Sequence, residues 1–353
     1  MTEEEARRLV MEGVGKLVEY KLVARTWGNI SARIDAEWMV ITPSGRDYAS
    51  LKAADLVKVR IRDLHWDGDI KPSSESGIHA DCYALRSDVG YVIHTHQLWA
   101  TAITLGGAEV AGSQPVPYAP SASQALRKRV RTSVTRNGQC TAFQLARHGM
   151  LFLARDMEDA FRQALETEEA CRQEFFRRVD LSGPAPKALG SSVRRGDHFI
   201  LSLEGHTSVH EMDEEASGEA ALHRRIYLHN PKAQCILHCH GKASVALSRM
   251  HQTVHPVIDD IAQCGGVSFP CVEAGQAPTS FKDSSLVFIK DDGALAIAKD
   301  GQEALALETL TEKDASGELY ARAMGTYSPL GRREAERQRR SYLESYSLLK
   351  DEA

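Results

Sequence analysis

The amino-acid sequence repeats itself at a constant interval. Three separated stretches recur 144 residues further along the chain, and each carries a histidine or an acid in an apolar setting. The pairs are 75–79 (ESGIH) with 219–223 (EAALH), 92–96 (VIHTH) with 236–240 (ILHCH), and 148–151 (HGML) with 292–295 (DGAL). Three matches without a gap between them rarely arise by chance. The chain is therefore predicted to be a tandem duplication of one domain.

Length and composition agree with two globular domains. The chain has 353 residues, of which 42% are hydrophobic and 26% charged, so each half can bury a large core. The segment 181–186, reading LSGPAP, is the best linker candidate. We expect domains at residues 1–180 and 186–353. The second domain is shortened, because Gly205 and Glu219 are closer in sequence than Gly45 and Glu75. It is predicted to lack a strand or hairpin and an N-terminal helix of its own.

Several function classes are disfavoured. A formal net charge of −5 gives no basic surface for a nucleic-acid partner. No run of 18 apolar residues exists to span a membrane, and the acidic, amphipathic start does not resemble a secretory signal. The seven cysteines form no CxxC pair. That pattern favours free thiols and a cytoplasmic location.

The chemistry concentrates between Glu75 and His96. Tyr91-Val92-Ile93 is an apolar, β-rich run that leads into His94-Thr95-His96. Residues two apart on a strand point to the same face, so both imidazoles can reach one metal ion. Glu75 begins a helix-like segment in the same stretch, directly after a pair of serines. These are the parts of a metal-assisted acid/base site, although two ordinary strand histidines would give the same motif.

The first copy resembles the class II aldolase/adducin family, which includes the fuculose-phosphate and rhamnulose-phosphate aldolases and ribulose-phosphate 4-epimerase. The resemblance covers about residues 5–178 and rests on five motifs in the family's order. They are Trp27-Gly28-Asn29-Ile30-Ser31, Ile41-Thr42-Pro43-Ser44-Gly45, Pro72-Ser73-Ser74-Glu75, His94-Thr95-His96 and Arg147-His148-Gly149. It implies two tandem α/β domains of the layered α+β kind, each with a central, mainly antiparallel sheet flanked by helices.

The resemblance implies a metal site. His94, His96 and His148 would be three ligands to a divalent metal, most simply Zn²⁺, with Fe²⁺ or Mn²⁺ as alternatives, and a position would stay open for substrate oxygens. Glu75 would be the general base and a fourth ligand before substrate arrives. It would move a proton at the carbon beside a carbonyl, while the metal acts as a Lewis acid on the developing enediolate. A helix-starting Glu would also offset the helix dipole.

The same resemblance implies a phosphate cradle. Its residues would be Gly28, Asn29, Ser44, Gly45, Ser73 and Ser74. Glycines let backbone N–H groups approach an anion, and Asn and Ser side chains donate hydrogen bonds. Turns and helix caps use the same residue types, and a carboxylate could occupy the same nest.

Tyr118 lies where aldolases of the family carry an active-site tyrosine, so its phenol would assist proton transfer. A loop tyrosine packed on proline is the alternative. Family members also use a C-terminal tyrosine that reaches into a neighbouring subunit. Tyr320 or Tyr327 could take that part, and no motif chooses between them.

The second copy keeps Glu219, His238 and His240, and has Asp292 at the third ligand position. Two imidazoles and a carboxylate could form a second metal site suited to iron or manganese. Its phosphate motifs are lost. Gly190-Ser191 stands where Gly-Asn is expected, and Leu203-Glu204-Gly205 stands where Pro-Ser-Gly is expected. The copy is either a degenerate partner domain or a metal site for a non-phosphorylated group.

The sequence therefore predicts a metal-dependent, aldolase-type lyase of carbohydrate metabolism. It would cleave or form a C–C bond in a small phosphorylated hydroxy-carbonyl compound such as a sugar phosphate. Epimerisation, dehydration, decarboxylation and iron-dependent oxidation use the same parts. A non-catalytic adducin-like interaction module is the alternative of another class. Because family members form four-fold rings, two duplicated chains would give a homodimer with pseudo-four-fold symmetry.

Overall fold

The computed structural model describes residues 1–23, 27–107, 110 and 112–346. The chain divides into two compact units. The first comprises the described residues of Met1–Arg178, Tyr320–Tyr327 and Leu343–Ala353, and the second comprises Val179–Leu319 and Ser328–Tyr342. None of the helices in the described ranges combines the length and apolarity needed to cross a lipid bilayer.

In its described residues the first copy has five α-helices and seven strands. Its helices are α1 (Glu3–Glu19), α2 (Ser76–Leu85), α3 (Leu98–Thr104), α4 (Gln124–Arg136) and α5 (Met157–Arg178). Its strands are β1 (Asn29–Arg33), β2 (Trp38–Ile41), β3 (Val57–Arg60), β4 (Tyr91–Thr95), β5 (Ser113–Val116), β6 (Ala142–Leu145) and β7 (Gly149–Ala154). They form one sheet in the order β3-β2-β1-β4-β7-β6-β5. Neighbours are antiparallel except β5 and β6.

The second copy repeats this sheet strand for strand. Its strands are β8 (Ser191–Arg195), β9 (His198–Leu203), β10 (His206–Glu211), β11 (Cys235–Cys239), β12 (Cys271–Val272), β13 (Leu286–Ile289) and β14 (Gly293–Ala298). The order is β10-β9-β8-β11-β14-β13-β12, with one parallel pair again at the end. Its helices are α6 (Gly218–His229), α7 (Lys242–Ser248), α8 (Asp259–Cys264), α9 (Gly301–Ala323) and α10 (Arg332–Ser341), followed by a short π-helix at Tyr342–Tyr346.

The predicted loss of a strand or hairpin from the second copy is wrong. The tight turn at Glu204 and Gly205 connects β9 directly to β10. The first copy places a 3₁₀ helix, Ala53–Asp55, between the matching strands β2 and β3. The shorter interval thus reflects a shorter connection. As expected, no helix lies between α5 and β8, a stretch whose residues are all described.

Strand register corrects one sequence alignment. Ser31 pairs with Val92 in the first sheet, and Ser192 pairs with Ile236 in the second. Because Val92 and Ile236 are matching positions of the repeat, Ser31 matches Ser192. Gly28-Asn29 therefore corresponds to Leu189-Gly190, one residue earlier than the Gly190-Ser191 that the sequence suggested.

The first sheet is covered on both faces. A buried apolar cluster joins one face to α2 and α4 through residues such as Ile78, Val92, Val130 and Phe143. The helices α1 and α5 pack on the strands with buried apolar side chains of their own. Because His94 is two residues after Val92 on β4, it faces the same layer as α2. This placement puts the chemically active residues between the sheet and the start of α2.

Candidate active site

Three histidines converge at one edge of this layer. His94 lies on β4, His96 follows its end, and His148 directly precedes β7. The register of β4 and β7 brings His94 opposite Leu151 and Thr95 opposite Met150, which fixes how closely His148 approaches. A Cβ atom at Gly149 would lie 2.1 Å from the Thr95 carbonyl oxygen. Only glycine therefore allows this close crossing beside the histidines.

The imidazole nitrogens meet at hydrogen-bond distance. The Nε2 atom of His94 lies 3.0 Å from Nε2 of His148 and 3.0 Å from Nε2 of His96. All three side chains are buried. Their ligand nitrogens all lie within 4.8 Å of one another, and the described ranges hold no comparable cluster of His, Cys, Asp or Glu away from this site.

The arrangement fits a bound cation. His94 Nδ1 donates a hydrogen bond to the Met150 carbonyl oxygen at 2.8 Å, so the neutral ring presents a lone pair at Nε2. The single Nε2 lone pair of His94 cannot serve two imidazole nitrogens that each lie 3.0 Å away. A cation between the rings, by contrast, could accept a lone pair from each of the three. Two nitrogens bound to tetrahedral zinc at about 2.0–2.1 Å lie roughly 3.3 Å apart, close to the observed spacing.

Glu75 completes the constellation. It occupies the N-cap position of α2 without a capping hydrogen bond from its side chain, and its Oε1 and Oε2 atoms lie 3.2 Å from His148 Nε2 and 3.3 Å from His94 Nε2. Burial alone would raise the pKa of this carboxyl. Attraction to His94 in its protonated form, the hydrogen bond from His148 and a hydrogen bond from Asn29 outweigh burial and hold the pKa well below its usual range. Burial lowers the pKa of His94 to about 3, although Glu75 opposes the shift. Glu75 is therefore ionised and His94 neutral near pH 7, as metal ligation requires.

Asn29, predicted as part of the phosphate cradle, makes a hydrogen bond to Glu75. Its Nδ2 donates to Glu75 Oε2 at 3.0 Å, so the side chain orients the carboxylate. Its Oδ1 has no hydrogen-bond partner among the described residues and remains an available acceptor. The preceding Gly28 has φ of +98°, and a Cβ there would lie 2.8 Å from the His94 carbonyl oxygen. This glycine is required because the chain passes close to the ligand strand.

The two serine loops of the predicted phosphate cradle lie side by side. The Ser44 N–H donates to the Lys71 carbonyl at 3.0 Å, and the Ser73 N–H donates to the Thr42 carbonyl at 3.0 Å. The Ser73 hydroxyl accepts from the Glu75 N–H at 3.3 Å, which ties this loop to the start of α2. Ser73 is buried and Ser74 exposed, whereas Ser44 is half-buried. Gly45 has φ of +73°, a left-handed conformation that glycine adopts readily.

Tyr118 lies beside the residue that precedes the third histidine. The guanidinium carbon of Arg147 is 5.8 Å from the centre of the Tyr118 ring, in a cation–π contact. Arg147 has φ of +64°, an uncommon value for a residue with a side chain. Tyr320, by contrast, is fully buried, and its ring stacks on Phe175 at 6.1 Å.

The matching residues of the second copy do not form such a group. His238 Nε2 donates to the Asp292 carbonyl oxygen at 2.5 Å, and its Nδ1 faces the Leu189 N–H at 3.4 Å. Asp292 accepts through Oδ1 from the Lys187 N–H. His240 is exposed, and its Nδ1 donates to the His238 carbonyl at 2.8 Å. Backbone groups of this copy thus engage both ring nitrogens of His238 and one carboxylate oxygen of Asp292. Glu219 is half-buried in the first turn of α6.

Sequence reasoning missed a buried polar chain behind Glu75. His79 Nδ1 lies 2.7 Å from Ser31 Oγ, which is 2.8 Å from the Tyr83 hydroxyl. The second copy has the same chain at His223, Ser192 and Tyr227, with distances of 2.7 and 2.8 Å. The signal was present in the repeat, because His79 and His223 are among its matched residues.

Comparison with known proteins gives a family. The family described as Class II Aldolase and Adducin N-terminal domain matches residues 8–175 and again 189–316. A 5-methylthioribulose-1-phosphate/5-deoxyribulose-1-phosphate aldolase of Rhodospirillum rubrum is 32% identical over 171 residues, which are 45% of this chain and 75% of that protein.

Solved structures of the same group are also similar. An L-fuculose 1-phosphate aldolase is 26% identical, with 49% of this chain and 86% of that chain covered and a TM-score of 0.46. YgbL from Klebsiella pneumoniae is 23% identical, with 50% and 91% covered and a TM-score of 0.45. The two matched ranges, the repeated strand order and the shared buried polar chain agree. The protein belongs to the class II aldolase and adducin N-terminal domain family and carries that domain twice in tandem.

Proposed function

We propose that the first copy is a metal-dependent lyase that cleaves, or forms, a C–C bond of a ketose 1-phosphate. The observation that carries the proposal is the meeting of three buried Nε2 atoms beside the ionised carboxylate of Glu75. The relative from Rhodospirillum rubrum, named as an aldolase of ketose 1-phosphates, supports the substrate class.

His94, His96 and His148 would hold the metal, and zinc suits three imidazoles best. When bound, the ion supplies positive charge that orients the carbonyl and hydroxyl oxygens of the substrate and stabilises negative charge next to the carbonyl. The burial of all three ligands keeps water away from that charge.

Glu75 moves the proton. In the cleavage direction the C4 hydroxyl loses its proton, the C3–C4 bond breaks, and C4 leaves as an aldehyde. The electron pair stays on the three-carbon fragment. Glu75 is ionised at rest, so it first takes up a proton, equivalent to the one that the C4 hydroxyl releases, and then gives it to C3 to form dihydroxyacetone phosphate. In the synthetic direction Glu75 removes that proton. Asn29 holds the carboxylate during the transfer.

The neighbouring residues would bind the phosphate and assist at the aldehyde. The Ser44-Gly45 and Ser73-Ser74 loops, paired through backbone hydrogen bonds, offer hydroxyl and N–H donors for the phosphate. Tyr118 would exchange the proton of the aldehyde oxygen, and the Arg147 guanidinium packs beside its ring.

The experiment that tests the function needs no knowledge of the aldehyde. Zinc-loaded protein is incubated with dihydroxyacetone phosphate in D₂O, and loss of the C3 proton signal is followed by ¹H NMR. We expect exchange by the unaltered chain. Glu75→Gln should slow it by ~10²–10⁴-fold, the usual contribution of a general acid or base, while zinc content is kept. His94→Ala should lose both zinc and exchange.

Glu219→Gln, at the matching position of the second copy, is the control and should leave the rate unchanged. Cleavage of 5-deoxyribulose 1-phosphate and L-fuculose 1-phosphate is measured in parallel. If the zinc-loaded chain neither exchanges the C3 proton nor cleaves either compound, the lyase proposal is wrong. Exchange without any cleavage would favour an epimerase.

We further propose that the second copy is a partner domain without metal chemistry. The engagement of His238 and Asp292 by backbone groups supports this assignment. Two chains would supply four copies of the domain and form the homodimer expected from the repeat. A monomeric mass in solution would contradict that assembly.

A further inference from the structure

The strand β10 is the outermost strand of the second sheet, and among the described strands only β9 pairs with it. The two residues that connect these strands, Glu204 and Gly205, have φ of +49° and +80°, which makes the connection a type I′ turn. Such a turn hydrogen-bonds its flanking residues, here Leu203 and His206. Along an antiparallel ladder, the pairs that follow are then alternately non-bonded and bonded.

Thr207, Val209 and Glu211 are the non-bonded positions, so their N–H and C=O groups point away from β9. The Met212 N–H donates to the Asp197 carbonyl at 2.7 Å, as the alternation requires one step further along. In the described residues no strand lies on the outer side of β10, and no other backbone group bonds these three. Val209 is 62% exposed. The strand thus presents an open row of donors and acceptors to solvent.

The first sheet has a matching edge at β3. With Ser31 matched to Ser192, strand register aligns three outward-facing positions of the two edges. The matched pairs are Leu56 with Thr207, Lys58 with Val209 and Arg60 with Glu211. Lys58 makes an ion pair with Glu3 of α1 at 2.9 Å. Charged residues on an edge strand, lysine above all, prevent another strand from pairing there. Because Val209 stands where this lysine would be, the second copy lacks that protection.

The first copy also occupies the backbone groups of its own edge. The Leu56 carbonyl accepts from Arg7 Nη1 at 2.7 Å. The Arg60 N–H donates to the His65 carbonyl at 2.8 Å, and the Arg60 carbonyl accepts from the Leu64 N–H at 2.9 Å. The helix α1 and the turn after β3 thus close this edge. The second copy has no helix before β8 to match α1, so its edge stays open.

The open edge is complementary to itself under two-fold symmetry. With the axis at Val209, antiparallel pairing joins Val209 to Val209 of a second chain, and Thr207 to Glu211 in both directions. Each pair exchanges two backbone hydrogen bonds, about six in all. The Thr207 hydroxyl can donate to the opposite Glu211 carboxylate, so charge and donor match. A register centred on Glu211 would instead set two carboxylates opposite each other, which is destabilising.

The same register continues an apolar row across the boundary. Val193, Ile200 and Val209 are directly opposite one another on three neighbouring strands, and they share the outer face of the sheet. Val193 is 37% exposed and Ile200 half-buried. Pairing at Val209 would join this row to the same row of the second chain, and each Val209 would cover the other.

We propose that β10 is a docking strand for a second chain of this protein, and that the pairing joins two second sheets into one continuous sheet across a two-fold axis. The contact links the second copies of two chains, whereas a ring alternates first and second copies. The inference is therefore independent of the lyase activity and of the ring.

Substitutions at the axis test the pairing. Val209→Pro removes the outward N–H and leaves the hydrogen bonds to β9 in place. Val209→Lys introduces the residue type of the first copy and sets two lysines opposite each other. Each should raise the dimer dissociation constant, measured by sedimentation equilibrium, by ~10–100-fold. Val193→Lys changes an exposed valine of the same face two strands away. It is the matched control and should leave the constant unchanged.

Oxidative cross-linking gives a second readout. The Cα atoms of a hydrogen-bonded antiparallel pair lie about 5.5 Å apart, within the range that a disulfide spans. Val209→Cys should therefore form a disulfide-linked dimer. Val193→Cys should not, because its counterpart would lie five strand spacings away, roughly 24 Å. The native thiols are all buried or half-buried, and the unaltered chain measures their background.

An unaltered chain that stays monomeric throughout the micromolar range would overturn the inference. So would a dimer whose dissociation constant neither Val209→Pro nor Val209→Lys changes, or a Val209→Cys variant that cross-links no faster than Val193→Cys. Circular dichroism checks that each variant folds. Should Val209→Pro fail to fold, Val209→Lys and the cross-linking decide, since both alter only an exposed side chain.

Discussion

Asn29, the first residue of β1, and Gly190, which directly precedes β8, occupy matching positions in the two copies, and only Asn29 has a side chain that can donate. The amide of Asn29 holds Glu75 at 3.0 Å. Glycine at 190 offers Glu219 no such donor. The change of one residue thus removes the orientation of the acid in the second copy, even though the acid itself is kept.

His223, a buried histidine of the second copy, gives a prediction about how stability depends on pH. Burial lowers the pKa of His223 to about 4, against about 6.5 in an unfolded chain. Between those values the unfolded state binds a proton that the folded state does not, so acidification favours unfolding. Between pH 7 and pH 5, this residue should lower the free energy of unfolding of the second copy by roughly 2 kcal/mol.

His223→Gln tests that sign. The variant is expected to be less stable at pH 7, because it loses the contacts with Ser192 and Leu189. Its free energy of unfolding should nevertheless fall less between pH 7 and pH 5 than that of the unaltered chain. Urea unfolding followed by circular dichroism at both pH values measures the difference. An identical pH dependence in the two proteins would show that His223 does not titrate in this window.

At the scale of elements, the sequence predicted the features that depend on the spacing of residues along the chain. The spacing of two residues between His94 on β4 and His96 directly after it places both rings on one face, and the structure has their Nε2 atoms 3.0 Å apart. The interval of 144 residues correctly predicted two copies of one sheet. Contacts between elements were out of reach. The bond from Asn29 to Glu75 depends on how α2 lies across β1, and periodicity does not report that crossing.

The crossing of β4 and β7 gives an element-scale prediction with a matched control. A Cβ at Gly149 would lie 2.1 Å from the Thr95 carbonyl, and one at Gly293 would lie 2.3 Å from the Cys239 carbonyl. Each Gly→Ala change should destabilise its own copy by ~1–3 kcal/mol, as other overpacked sites do. Only Gly149→Ala should also lose zinc, because Thr95 lies between two ligands. Zinc stoichiometry and thermal unfolding measure both effects, and zinc loss from Gly293→Ala would contradict the assignment.

At the scale of the whole molecule, each copy carries its own apolar core beside its own sheet. Only the first copy gathers ligand atoms into a metal-sized group within the described ranges. The two copies therefore share the fold but not the candidate site. A ligand of the first copy should stabilise that unit and not the other, provided that the two unfold separately.

Tryptophan provides the probe for this difference. All four tryptophans lie between residues 27 and 99, so their fluorescence reports the first copy, whereas far-ultraviolet circular dichroism reports both. Zinc at about 100 times its dissociation constant should stabilise the first copy by roughly 2.7 kcal/mol. The fluorescence transition in urea should move to higher concentration while a second, zinc-independent transition remains in the dichroism. His94→Ala should abolish the shift. A single transition that zinc moves in both signals would instead mean that the two copies unfold as one cooperative block.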